Sequence, residues 1–150
     1  MLAELGAIYN ETLTIVNRLD AKDSESKQDS YHKTVLRGCM WYAQSTRTVQ
    51  QDGTVRIGTV HRVQIPESAD YAPYKEWSKD PRGFTLRPGD YVVRGEVTED
   101  LDAATVKRVI SAYEPEVFQV QHFRDLTKRE GMFNTPEGIM RFAECYYVEG

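Results

Sequence analysis

The chain has little of what small sites and staples are made from. Two of its 150 residues are cysteine and three are histidine. Cys39 and Cys145 both fall in strand-like segments, and they read as buried free thiols rather than a disulfide. His32, His61 and His122 stand alone, with no short ligand spacing among them or the cysteines, so no metal site is expected. There is no Gly-rich phosphate loop, no dinucleotide fingerprint and no nucleophile elbow; the glycines are scattered as turn residues. Neither a cofactor nor a catalytic residue is expected.

Positive charge is also in deficit. Nineteen Lys+Arg (19) face 23 Asp+Glu, a net charge of −4. That balance excludes the basic footprint of a tight non-specific nucleic-acid binder, which must displace counterions with Lys and Arg. It is compatible with DNA passing by without sticking. No apolar run approaches the ~18 residues of a membrane helix, so no membrane contact is expected. The N-terminus, MLAELGAIYNETLTIVNR, lacks the basic and apolar regions of a signal peptide. Synthesis in the cytosol is therefore expected.

What is present is a globular composition, 40% hydrophobic and 28% charged. It points to one domain over 1–150 with a core large enough to need no staple. Residues 2–9 carry a weak helical signal. Thr12–Leu19 alternates as a half-buried strand, and the polar stretch 20–30 reads as a solvated loop. Tyr31–Ser45 is a strand apolar on both faces, with Val35, Cys39 and Trp41 on one side and Leu36, Met40 and Tyr42 on the other. Gly38 in its middle marks a bulge or a close backbone approach. Asp52-Gly53 predicts a type I′ hairpin turn. The return strand, Thr54–Ile65, sets Val55, Ile57, Val63 and Ile65 on one face. Pro66 ends it.

A second long loop, 67–85, carries Tyr71, Tyr74, Trp77 and Phe84. These rings either fold back as a lid on the sheet or stand out as anchors for a neighbouring subunit. The connector 127–138, with Met132 and Phe133, invites the same two readings. Between the two loops, Pro88-Gly89 turns into a short strand, Tyr91–Arg94. Val106, Val109, Ile110 and Tyr113 then form one helical stripe, and Pro115 bars its continuation. Val117–Asp125 and Ile139–Val148 are read as a closing hairpin. The expected fold is mainly β, a small barrel or twisted antiparallel sandwich with one helix after the fourth strand.

One acidic group competes for a chemical role. Glu96, Glu99, Asp100 and Asp102 are the residue type a metal-dependent nuclease needs. The plainer reading is a helix start that favours carboxylates, and no second acidic cluster supports the nuclease. Cys39 as a nucleophile, with His61 or His122 as base, requires a fold-level coincidence.

Four segments carry a resemblance. They are TIVNR at Thr14–Arg18, YHKTVLRGCMWY at Tyr31–Tyr42, VQIP at Val63–Pro66, and a Pro-Gly-Asp strand leading to a short helix at Pro88–Tyr113. In this order the chain resembles head-closure (stopper) proteins of the head–tail connector of long-tailed phages and prophages. The resemblance implies a non-enzymatic β-barrel subunit of the virion neck. It implies a closed ring, hexamer or dodecamer, joined to portal-side adaptor and tail-side proteins. The ring would pass phage DNA without sequence-specific binding, with loops gating the channel. The hairpin tip, Gln50, Gln51 and Asp52, is the channel-facing candidate. Tyr71, Tyr74, Trp77, Phe84, Met132 and Phe133 are the interface candidates. The extra length in 67–85 and 127–138 departs from the stopper pattern and keeps a tail-completion or tail-terminator role open.

Overall fold

The strand signals become one antiparallel sheet that curls until its two edges meet through the chain itself. The computed structural model describes residues 10–125, the backbone of 132–135 and 138–141, and residues 145–150. The sheet holds β1 (Glu11–Leu19), β2 (Ser30–Val49), β3 (Val55–Pro66), β4 (Tyr91–Arg94), β5 (Val117–Gln119), β6 (His122–Asp125) and β9 (Cys145–Glu149), in the order β5-β4-β1-β2-β3-β9-β6. β5 and β6 are therefore neighbours in sequence and opposite edges in space. Val120 N–H bonds to Asp90 O at 2.7 Å, while Gln121 N–H bonds to Glu149 O at 2.9 Å. One peptide step carries the chain from edge to edge. The expected mainly-β fold is what forms, as a curled half-barrel.

The predicted closing hairpin is corrected by this topology. Val117–Asp125 is two strands, not one, and only β6 pairs with β9. Ile139–Val148 is also two strands. Its first part belongs to β8 (Gly138–Arg141), which pairs with β7 (Met132–Thr135) in a separate two-stranded sheet. The connector 127–138 thus contains paired backbone. The helical signal at 2–9 lies outside the described residues, as do the side chains of Met132 and Phe133.

β2 works because of a bulge. Leu13 pairs with Leu36, but Glu11 pairs with Cys39, so β2 spends an extra residue between them. Gly38 sits there at φ 71, a left-handed conformation that glycine takes at no Cβ cost. The bulge reverses side-chain parity. Leu36, rather than Val35, therefore joins Cys39 and Trp41 at the inner core. Before the bulge β2 pairs with β1, and after it with β3.

Two apolar clusters lie on opposite faces of the β1–β4 half. The inner one gathers Leu13, Ile15, Trp41, Val63, Ile65 and Val148 with Phe84, Phe118 and Tyr146. The outer one joins Val16 and Val93 to Val97, Val106 and Ile110. The last two come from helix α2 (Val106–Ser111), whose predicted stripe packs as drawn, since Val109 and Tyr113 also lean on this cluster. β1 is consequently buried on both faces rather than half-buried. Thr14 Oγ1 satisfies the loop above it, donating to Gly95 O at 2.8 Å and accepting from Val97 N–H at 3.0 Å.

A buried polar latch ties β1 to the segment before β4. Asn17 and Asp90 are almost fully buried. The Asn17 amide donates to Thr85 O at 2.6 Å and to Asp90 Oδ2 at 2.9 Å, and its oxygen accepts from Thr85 N–H at 3.2 Å. Asp90 Oδ1 also accepts from Arg18 N–H at 3.2 Å. Burial pushes the Asp90 carboxyl above its ordinary range, against the pull of those donors. Replacing Asn17 by Ala strands a buried carboxylate and a buried backbone pair. Asn17→Ala should lower the unfolding free energy by about 2–3 kcal/mol in urea titration, with an unchanged m-value.

Candidate functional site

The sheet does not use all of its longest hairpin. β1 partners β2 only as far as Cys39, and β9 with the following Gly150 partners β3 only over His61–Pro66. Beyond these limits β2 and β3 pair with each other alone, through Val49 and Val55, among the described residues. The outer part, about eight residues per strand, is a ribbon roughly 25 Å long by the rise of a strand. Every residue of 42–49 and 55–59 is exposed. Thr46, Thr48, Val49, Val55, Ile57 and Thr59 among its side chains are β-branched, which favours the strands there without a core beneath them.

The two faces of this arm differ. Cross-strand partners share a face, so Trp41/Val63 at the core is followed outward by Ala43/His61, Ser45/Thr59, Arg47/Ile57 and Val49/Val55. The core face thus continues into solvent past Ser45, Thr59 and Arg47 to an apolar patch of Ile57, Val49 and Val55 at the tip, with Ile57 79% and Val49 64% exposed. The predicted facing of Val55, Ile57, Val63 and Ile65 is right, but only Val63 and Ile65 reach the core. At the base, His61 stacks on Phe118 with centroids 5.5 Å apart and leans on Trp41. Burial lowers the His61 pKa below its usual value.

The tip departs from the predicted turn. Gly53 N–H bonds to Gln50 O at 2.9 Å, and Gln50 N–H to Thr54 O at 2.8 Å. Only Gly53 has positive φ, at 84. This is a three-residue loop, a turn followed by one left-handed glycine, and not type I′. Asp52 stabilises it by accepting from Thr54 N–H at 2.9 Å, and that bond holds its carboxyl low. Gln51 and Asp52 are fully in solvent, with Gln50 half-buried beside them.

At the other end of β2 lies an open cleft of about 1360 Å³, between the 20–30 loop, the 74–81 segment and Leu101–Asp102. One wall is held by ionic geometry. Arg87 grips Asp20 with both terminal nitrogens, at 2.9 and 2.8 Å, and donates to Arg18 O at 2.6 Å. Its guanidinium lies 3.6 Å over the Tyr74 ring. Tyr74 donates to Asp23 at 2.8 Å and accepts from Asp20 N–H at 3.1 Å. The Arg87 hydrogen bonds hold the Asp20 carboxyl at about 2.

The aromatic excursion is the main correction to the expected interface. It is not irregular throughout, since Tyr74–Trp77 forms a one-turn helix, α1. Trp77 and Phe84 are buried within the subunit and offer no face to a neighbour. Trp77 meets His32 edge-on at 5.4 Å and donates to Gly83 O at 3.3 Å. Tyr71 packs on Phe84, Phe123 and Tyr146, and burial pushes its hydroxyl up to about 12. The loop is a lid. Gly83, at φ 69, lets it close, because a Cβ there would lie 2.1 Å from Asp70 O.

The residues weighed for chemistry are dispersed or occupied. Asp102 caps the turn before α2, accepting from Ala104 and Thr105 N–H at 2.8 and 2.9 Å. Glu99 accepts from the Tyr113 hydroxyl at 2.9 Å, and Glu96 faces Arg37 at 3.8 Å. Among the described residues no group of three or more His, Cys, Asp or Glu is placed to hold a metal ion. Burial raises the Cys39 thiol to about 12, which leaves it mostly protonated and a poor nucleophile at neutral pH. Both cysteines are buried and free. The unsupported arm was the feature that pattern reading missed. Its signal was available: a hairpin longer than its sheet partners, losing large apolar residues on one face after Tyr42.

Fold and surface together define a curled antiparallel β protein that exposes, among its described residues, a two-stranded ribbon with an apolar patch at its tip. A family model matches residues 8–135, and the chain belongs to that family, described as a family of unknown function (DUF6751). No curated protein and no solved structure matches the chain.

Two measurements check this description. Ile57→Ala should change the unfolding free energy by less than about 0.5 kcal/mol, whereas Ile65→Ala, on the same face but in the core, should cost about 2–5 kcal/mol. Equal costs would mean that the arm packs on the body. Asp20 has a depressed carboxyl, so its contribution to stability is present above its ordinary pKa of 3.8 and is lost as pH falls toward about 2. Thermal melts of the wild type and Asp20→Asn should differ most above that window and converge near its lower end.

Proposed function

We propose that this chain is a non-enzymatic assembly subunit, a head-closure-like ring component of the phage or prophage neck. The observation that carries the reading is the arm. A two-stranded ribbon with an exposed apolar patch is marginal alone, and such surfaces are normally covered by a partner. In a ring each subunit presents one surface to a neighbour on one side and a different surface on the other. An arm at one end of β2 and a cleft at the other fit that requirement. The net charge of −4 suits a channel past which phosphates slide. The motifs that carry the likeness to stopper proteins are also joined in space, since Asn17 of TIVNR bonds Asp90 of the Pro-Gly-Asp turn.

On this reading the partners are copies of the chain in a closed ring, hexameric or dodecameric, with portal-side and tail-side virion proteins above and below. DNA passes without base-specific contact. No cofactor is used, and the place of action is the virion. The test is labelled electron microscopy of phage particles from a lineage encoding the gene, with a small tag at the chain's end. The label should appear at the head–tail joint. Label confined to the tail shaft or baseplate, or absent from particles, overturns the reading.

A further inference from the structure

We propose that the arm of one copy seats in the cleft of a second copy, head to tail, an arrangement that rests on the reading of the chain as a ring subunit. The arm cannot fill its own cleft. Ser30 and His32 line the cleft, whereas Val49 ends β2 at the arm tip. Those points are separated by roughly 50 Å of strand.

Charge selects the partner. Past Tyr42 the arm holds Arg47, Arg56 and Asp52, a charge of 2 − 1 = +1, so the rest of the chain carries −4 − 1 = −5. Neither arginine forms an ion pair among the described residues, and Asp52 is engaged by the turn. The cleft is lined by Asp23, Glu25, Asp29, Asp80 and Asp102. Against these stand Lys22, Lys75 and Lys79, giving 3 − 5 = −2 for the lining, with Asp80 also paired to Arg82 at 3.3 Å just outside it. A cationic arm thus meets an anionic receptacle. Two arms laid core-side face to core-side face would instead bring the two Arg47 side chains into one contact, a like-charge arrangement that strands avoid, while Arg56 lies on the opposite face.

Apolar surface and size agree. The patch of Val49, Val55 and Ile57 needs an apolar counterpart, and the half-exposed Tyr31 and Leu101 supply one among the cleft residues. At about 1360 Å³ the cleft exceeds the ~300–1,000 Å³ usual for a small ligand and suits a hairpin tip. Docking of two different surfaces propagates from copy to copy and closes into a ring when the rotation allows. It also assigns Gln50, Gln51 and Asp52 to a protein contact, in place of the channel-facing role expected of them.

The test uses two full-length variants, Ile57→Cys on the arm and Ser26→Cys in the cleft loop, both at exposed positions. The native thiols are buried, so the new ones report alone. Mixed at high concentration under mild oxidation, the two should give an adduct linking 57 to 26. Adding Arg47→Glu and Arg56→Glu to the arm variant should cut its yield at least tenfold without changing the circular dichroism spectrum. Adducts only between Ile57→Cys copies, no adduct at all, or a yield indifferent to the charge reversal would overturn the docking. The two proposals fail separately. Label at the head–tail joint without the adduct removes the docking and leaves the function, and the adduct with label elsewhere does the reverse.

Discussion

The structure depends on one strand serving two partners in turn. β2 is 20 residues long, while β1, its partner over the first half, is 9. A strand that long cannot stay flat against a curling sheet. The bulge at Gly38 resolves the conflict by rotating the strand and shifting its side-chain parity once. Every later element inherits the result. Trp41 enters the core, β3 follows β2 around the curve, and the part of the hairpin that outruns β1 and β9 is left in solvent. The arm is therefore not an appendage added to the sheet. It is the remainder of a strand pair whose first half builds the sheet.

The same geometry explains which parts of the fold were legible in the sequence. Alternation gave the strands, because each strand's inner face is buried, and the helical stripe of Val106, Val109, Ile110 and Tyr113 was legible for the same reason. The bulge itself was signalled by Gly38, but its consequence for facing was not, since parity after a bulge depends on the partner's register. The split of Val117–Asp125 was invisible for a related cause. Val120 and Gln121 look like ordinary strand residues, and only the meeting of two distant sheet edges makes them a crossing point. The turn at Asp52-Gly53 was right in place and wrong in type, because the dipeptide also fits a loop with one left-handed residue.

The candidate site was less legible, and the reason is burial rather than pattern. Four aromatic residues in a long loop carry no periodicity that says inward or outward. Trp77 and Phe84 go inward because the half-barrel has an open side that needs covering, and the lid closes on hydrogen bonds from Phe84 N–H to Asp70 O and Ala72 N–H to Phe84 O. Tyr74 stays half-exposed because it completes the ionic wall with Arg87, Asp20 and Asp23. The latch of Asn17 and Asp90 was visible in the sequence only as two separate motifs. Their function is mutual, since each satisfies polar groups the other leaves buried.

What separates the arm from an ordinary long hairpin is that, apart from Arg47 on its core-side face, it lacks the usual defences of an exposed strand. Edge strands are commonly blunted by proline, by inward charges or by short length. Residues 42–60 contain no proline. The core-side face keeps valine and isoleucine far beyond the point where a core exists to receive them, and among the described residues nothing pairs with the outer edges of the ribbon. Thr46 and Thr48 on the opposite face, with Ser45 and Thr59 inboard of the apolar patch, keep the ribbon hydrated without covering that patch. Arg47 on the core-side face then opposes its pairing with an identical arm. A surface that is costly to leave bare and charged against self-pairing is specified for a different surface. In the docking we propose, opposite charge and open volume at the far end of the same strand would supply that surface from the next copy.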